Sequence, residues 1–327
     1  MATQSLIYAN ARVKVLENTL LSHEKITRMV YAESLQDGVR ILSESGYGGV
    51  TIGDAYEYET MLASEDARVE SFVRESMPKG SGMETFSVRN DYHNAKALCK
   101  AKYMREQDAS YMLAPRGLID TDALQQAIVS DEYVDLPPQM RDALQRIDRV
   151  MTEHPDPSRI DTLLDRAMYE DVTERMRKAK NPLLVRYWQA QADLSNVSIW
   201  LRSKAVDKSA REFCDDCMPG GIVGIDALAA IYDQPVETLA EKLRYTPYRA
   251  LSDLAASGDM VAYEAAWDDY LLAIFKDGRN DLFSVAPLAG FYVAKKAEIR
   301  NVRMILILLK NNADKSAIKR RLRGLYE

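Results

Sequence analysis

Apolar residues recur at intervals of three and four along almost the whole 327-residue chain, the spacing that lines one face of an α-helix. Leu6, Ala9, Val13, Leu16 and Leu20 trace a first stripe. A second long helix is predicted from about 24 to 44, ended by the glycine-rich Ser45-Gly-Tyr-Gly-Gly. The same periodicity predicts helices over 57–76, 86–108, 120–130, 137–152, 158–178, 182–206, 225–232, 235–244, 248–257, 259–277, 287–311 and 314–325. Alternation at period two is confined to stretches such as Gly49-Val-Thr-Ile and Ser87-Val-Arg, too short to build a sheet. The breaks are Pro/Gly turns such as Ala114-Pro-Arg-Gly and Met218-Pro-Gly-Gly. The expected fold class is all-α.

Superimposed on this pattern is a repeat of about a hundred residues. Pro182-x4-Tyr187-x5-Asp193-x2-Asn196 matches Pro287-x4-Tyr292-x5-Glu298-x2-Asn301 at identical spacing, 105 residues on. A third copy of the core reads Asp91-x2-Asn94-Ala95-Lys96, and a fragment, Asn10-Ala11-Arg12, stands near the start with Ile7 in place of the acid. A second element keeps the same period: Pro115-Arg-Gly-Leu-Ile-Asp-Thr-Asp122-Ala-Leu matches Pro219-Gly-Gly-Ile-Val-Gly-Ile-Asp226-Ala-Leu, offset by 104. Two patterns sharing one period predict three similar helical units, 1–110, 111–215 and 216–327. In the two Pro-led copies, proline falls in the first turn of a long helix, where its missing N–H is harmless. The acid and the asparagine lie three apart, hence on one face. In the last copy they fall in line with Ala294, Ile305 and Leu308. A polar pair among apolar neighbours must be satisfied by whatever packs on it, so these positions are expected to be structural hydrogen-bonding stations.

Composition agrees with this picture. Gly (15) and Pro (11) are scarce, while strong helix formers are plentiful. A net charge of −6 speaks against a protein devoted to nucleic-acid phosphates. The balance is uneven, with +7 from Leu288 to the end and −13 before it, which suggests solvated faces of the last helices or a surface for an acidic partner. The first residues show no basic-then-apolar leader, and three cysteines suggest free thiols in a reducing, cytoplasmic setting. No apolar run is longer than that of Met304–Leu309, far short of the roughly 20 residues a membrane span needs.

Candidate chemistry is sparse. His23, His93 and His154 have no metal-ligand spacing around them, and His93 is replaced by Ser195 and Arg300 in the other copies. Cys214-x-x-Cys217 lacks two further zinc ligands nearby. Gly48-Gly-Val-Thr-Ile-Gly53 has the glycine spacing of a phosphate loop, but Asp54 and Ala55 replace its Lys and Ser/Thr. Asp268-Asp269 and Asn280-Asp281-Leu-Phe-Ser284 only faintly match the metal-binding stretches of helical terpene synthases, and Asp268 and Asp269 are expected on a solvated helix face. No catalytic, cofactor-binding or metal-binding residue is therefore assigned, and no cofactor is expected. From the residues alone, a helical-repeat adaptor and an all-helical enzyme of unrecognised chemistry stand as alternatives.

The motifs also carry a resemblance. Arg89-Asn-Asp-Tyr-His-Asn-Ala-Lys-Ala-Leu-Cys-Lys-Ala resembles the D-x-H-N-x-K helix of the C-subunit family of V-type (A/V-type) ATP synthases, relatives of the d subunit of eukaryotic V-ATPases. Tyr8-Ala-Asn-Ala-Arg-Val-Lys-Val-Leu-Glu, Leu243-Arg-Tyr-Thr-Pro-Tyr248, the helix from Pro287 and the closing Ile318-Lys-Arg-Arg-Leu-Arg are similar to that family in order and spacing. The middle copy departs most, with Ser195 and Ser198 where His and Lys/Arg are typical. The resemblance implies a funnel of three helical domains in quasi-threefold arrangement, serving as a non-catalytic central-stalk component of the rotor. Its implied partners are the proteolipid ring of the membrane sector and the D and F subunits of the central shaft. It would be cytoplasmic and peripherally attached to the membrane, with no direct span.

Overall fold

The computed structural model describes residues 2–50, 52–104, 110–114, 117–153 and 155–326. Every regular element among them is helical: α1 (Ala2–Glu17), α2 (His23–Val30), α3 (Leu35–Glu44), α4 (Tyr58–Ser76), α5 (Thr85–Met104), α6 (Thr121–Ser130), α7 (Pro138–Glu153) and α8 (Ser158–Ala179), followed by α9 (Pro182–Ala205), α10 (Ala210–Asp216), α11 (Ile225–Ala229), α12 (Val236–Arg244), α13 (Ser252–Ala256), α14 (Met260–Lys276), α15 (Ala286–Lys310) and α16 (Lys315–Arg321). None of these helices is long and apolar enough to cross a membrane.

The chain divides into two compact units. One is split in sequence, formed by 1–79 and 257–327; the other is the continuous insert 80–256. The split unit is built on α15, which packs against α1, α2, α3, α4, α14 and α16. A helix touched from so many sides must be apolar nearly all round, and α15 is buried from Ala286 to Leu309 with few breaks. Val302, Ile305, Leu306 and Leu309 meet Met29, Leu42, Met61 and Leu62 in one core. Each such side chain contributes roughly 1.5–3 kcal/mol by leaving water. Gly38 lets α3 close on α15, since a methyl there would stand 2.9 Å from Leu309 Cδ1. In the insert, α8 lies against α5, α7, α9 and α10. Two groups of aromatic rings pack within the insert, Phe86 with Tyr187 and Trp188, and Tyr232 with Trp200 and Phe213.

Three departures from the periodic reading have a clear local cause or outcome. The predicted helix 24–44 is two helices, α2 and α3, because the Ser34 hydroxyl accepts the Asp37 N–H and starts a new helix; such a cap contributes about 1 kcal/mol. Helix α10 was not expected, although Ser209-x-x-Glu212 forms a reciprocal capping box at its start. The last helix stops at Arg321 and the chain turns extended at Leu322, short of the predicted 325. Residues 105–108 of the predicted helix 86–108, His154, and Pro115-Arg116 of the second repeat element lie outside the described residues.

Candidate functional site

The repeated acid and asparagine bring the returning chain down onto the helix that carries them. On α5, Asn94 Nδ2 donates to the Ala114 carbonyl at 3.0 Å, and its Oδ1 accepts the Ala114 N–H at 2.7 Å. On α9, Asn196 makes the same pair of bonds to Met218, at 2.8 and 2.7 Å. On α15, Asn301 does so to Arg323, at 3.1 and 2.9 Å. A primary amide offers a donor and an acceptor side by side, so it can hold both polar groups of one backbone residue. All three side chains are buried, as expected of stations rather than solvent-facing groups. The fragment near the start behaves as a partial fourth: Asn10 Nδ2 donates to the carbonyls of Leu282 and Ser284, both at 2.9 Å.

The acid one turn earlier holds the chain a little further along. Asp193 accepts the Ile222 and Val223 N–H groups, both at 2.9 Å, and the Tyr248 hydroxyl at 2.6 Å. Asp91 accepts the Ile119 N–H at 2.9 Å, with Leu118 N–H beside it. Burial pushes both carboxyls up, against the pull of these donors, and takes Asp91 to about 6. The glycines of the second repeat element explain why the approach is so close. A methyl on Gly117 would stand 1.9 Å from Asp91 Oδ1, and one on Gly221 would stand 2.0 Å from Asp193 Oδ1. The two sequence repeats are thus the two halves of one contact. Gly221→Ala is expected to displace the Asp193 carboxylate and lower stability by about 1–3 kcal/mol, the range for overpacking. Gly224→Ala, where an added methyl meets nothing, should stay within about 0.5 kcal/mol in the same denaturation assay.

The third station divides its labour. Gly324 N–H goes to Asp269 on α14 at 2.5 Å, and Asp268 binds Arg300 and Arg323. Asp269 is exposed, as expected of a solvated helix face, whereas Asp268 is half-buried between two arginines; both also fasten the C-terminal segment. Glu298 instead joins a buried charge cluster. Lys295 Nζ lies 2.6 Å from Glu298 Oε1 and 2.8 Å from Glu65 Oε1, and donates to the Thr19 carbonyl at 3.1 Å. The second oxygen of Glu298 accepts the Leu21 N–H at 2.5 Å. Arg68 chelates Glu65, which also accepts the Gly48 N–H at 3.2 Å. Four charges balance to zero, but unevenly. Burial would raise Glu65, yet Arg68 and Lys295 together hold it below the ordinary glutamate range. Glu298 has only Lys295, and burial pushes it up.

The other candidate residues take structural places. Gly48, in the phosphate-loop look-alike, has φ 72 and abuts the Met61 carbonyl, where a side chain would clash. His93 Nε2 sits 2.9 Å from the Met112 carbonyl. Cys99 and Cys217 are buried and burial pushes both thiols up to about 12, the opposite of an activated nucleophile. Among the described residues, no group of three or more His, Cys, Asp or Glu side chains is arranged to hold a metal ion. Much of the basic C-terminal stretch finds partners within its own unit: Arg320 pairs with Asp259, Arg303 with Glu59 and Lys296 with Asp66 and Glu70.

Similarity to known proteins extends over almost the whole chain. The chain is 23% identical to the C subunit of the V-type sodium ATPase of Enterococcus hirae, over 97% of its own length and 98% of the relative's. It is 25% identical to the C subunit of the A-type ATP synthase of Thermococcus kodakarensis, over 95% and 88%. It is likewise 25% identical to the C subunit of the V-type ATP synthase of Thermus thermophilus, over 91% and 92%. The model of the ATP synthase (C/AC39) subunit family matches residues 9–321. With its helical architecture and repeated stations in place over that same span, the chain belongs to the ATP synthase (C/AC39) subunit family, the C-subunit family of V-type ATP synthases.

Proposed function

We propose that this protein is the central-stalk coupling subunit of a V-type ATP synthase or ATPase. It joins the D–F shaft to the membrane proteolipid ring and turns with them, catalysing nothing itself. The observation that carries this reading is the end-to-end match to a family whose curated members are C subunits of V-type and A-type enzymes. The stations support it physically. A part that passes torque between two partners must resist shear between its helices and connecting loops, and the three Asn clamps fix loop backbone to helix at both polar groups. On this reading the three repeat units, 1–110, 111–215 and 216–327, form the walls of a funnel in quasi-threefold arrangement. The protein sits at the cytoplasmic face, held to the membrane through the complex.

The test is reconstitution. Purified protein should bind the D–F pair of the same organism in a pull-down, and should copurify with the proteolipid ring when the membrane sector is solubilised. Binding to neither overturns the assignment.

A further inference from the structure

The three acid positions hold the chain with unequal strength. Asp193 has two backbone N–H groups and the Tyr248 hydroxyl, and Glu298 has Leu21 N–H and the Lys295 ammonium. Among the described residues, Asp91 has the Ile119 and Leu118 N–H groups of the short loop it holds. No cation among the described residues pairs with it directly. From α8, Arg175 spends its guanidinium on Asp171, with Nε 2.6 Å from Oδ1, and Asp171 itself faces Asp91 as a like charge. From the loop, Asp120 turns its carboxylate to the Ala123 N–H at the start of α6. On its own helix, the Tyr92 hydroxyl is directed to Asp171 at 3.5 Å, and His93 is engaged with Met112. Asp91 is buried under Gly117, while Ile119 lines a groove of about 740 Å³ together with Asp171 and Arg175. Lifting 117–119 therefore uncovers the Asp91 carboxyl.

We propose that Asp91 is a protonation-controlled latch: the 117–119 loop is held most firmly when Asp91 carries a proton and is loosened when Asp91 ionises beneath it. The sign follows from linkage. Docked, the carboxyl titrates at about 6 because burial disfavours its charge; with the loop lifted it returns to the ordinary aspartate value near 3.9. The docked loop thus binds the proton more tightly than the open loop. Docking is strongest below about pH 4 and weakens as pH rises through about 6, although the ionised oxygen is the better acceptor. Tyr248 gives Asp193 a donor that Asp91 lacks, so the first station is the one poised to release.

The experiment is amide hydrogen exchange on the full chain at pH 5, 6 and 7, corrected for intrinsic exchange and normalised to amides within α9. Protection at Leu118 and Ile119 should fall about tenfold from pH 5 to pH 7. Asp91→Asn, which keeps an acceptor for Ile119 but cannot ionise, should abolish that dependence. Should that variant fail to fold, carboxyl-carbon NMR titration of Asp91 in the unaltered protein decides the matter. Flat protection between pH 5 and 7, or an Asp91 titration below pH 4.5, overturns the latch.

Discussion

Lys295→Met is expected to destabilise the split unit by about 3–5 kcal/mol, the range for removing one member of a buried charge set. Methionine fills a similar volume, so the loss is electrostatic. Glu65 keeps Arg68 and the Gly48 N–H, but Glu298 keeps only neutral donors, the Leu21 N–H and the neighbouring Tyr47 hydroxyl, among the described residues at a nearly sealed site. The penalty should therefore depend on pH. With its cation gone, the Glu298 carboxyl rises further above the unfolded value. The added instability is then absent where glutamates are protonated in both states, and it grows as pH rises through the unfolded glutamate range near 4.3. The measurement is urea denaturation at pH 4.5 and pH 7, with the larger loss at pH 7. Adding Glu298→Gln to Lys295→Met should recover part of the loss, since the unpaired charge is then gone. Equal losses at both pH values would show that packing dominates.

The second large effect is expected at Asn196. Replacement by leucine keeps the bulk but strips both bonds from Met218, leaving a buried N–H and a buried carbonyl without partners. Each orphaned group costs about 1–3 kcal/mol, so a total of roughly 2–4 kcal/mol is expected once partial relaxation is allowed for. Asn196→Asp is the sharper probe. It can still accept the Met218 N–H, but it sets a carboxylate against the Met218 carbonyl, and it should fare no better than leucine at pH 7. Trp188 and Trp200 lie on α9 and the third tryptophan, Trp267, on α14 of the split unit, so in a Trp267→Phe background tryptophan fluorescence during denaturation reads the inserted unit. Equal midpoints for Asn196→Leu and the unaltered protein would remove the clamp from the account of stability.

The helical class, most element positions and the stations were legible because each leaves a local trace: a 3.6-residue stripe, a proline at a helix start, an acid three residues before an asparagine. The sequence also showed that the Asp-x-x-Asn and Pro-x-Gly elements share one period. It could not show that they share it because each glycine clears room for the carboxylate of the other element, since that contact joins residues 26 and 28 positions apart. The charge cluster left less trace still. Lys295 and Glu65 are 230 residues apart, and a lysine in an apolar helix reads the same whether it faces water or a buried glutamate. The ties that Asp268 and Asp269 make were hidden for the same reason, although Asp269 does stay exposed as expected. Their partners, Arg300, Arg323 and Gly324, arrive from helix and tail beyond the reach of periodicity. Even the end of the last helix was set from a distance, by Asn301 holding the backbone of Arg323.

The division of the split unit has a consequence for how the protein is made. Helices α1 to α4 leave the ribosome long before α15, the helix that completes their core, with the whole of 80–256 translated in between. At about 5–20 residues per second, the apolar faces of α2, α3 and α4 wait roughly 10–40 s for their partner. The inserted unit, continuous in sequence, can close as soon as it is complete. Met29, Leu42, Met61 and Leu62 are then the surfaces that nascent-chain chaperones should find uncovered, and a ribosome stalled before Ala286 would hold a finished insert beside an unfinished core.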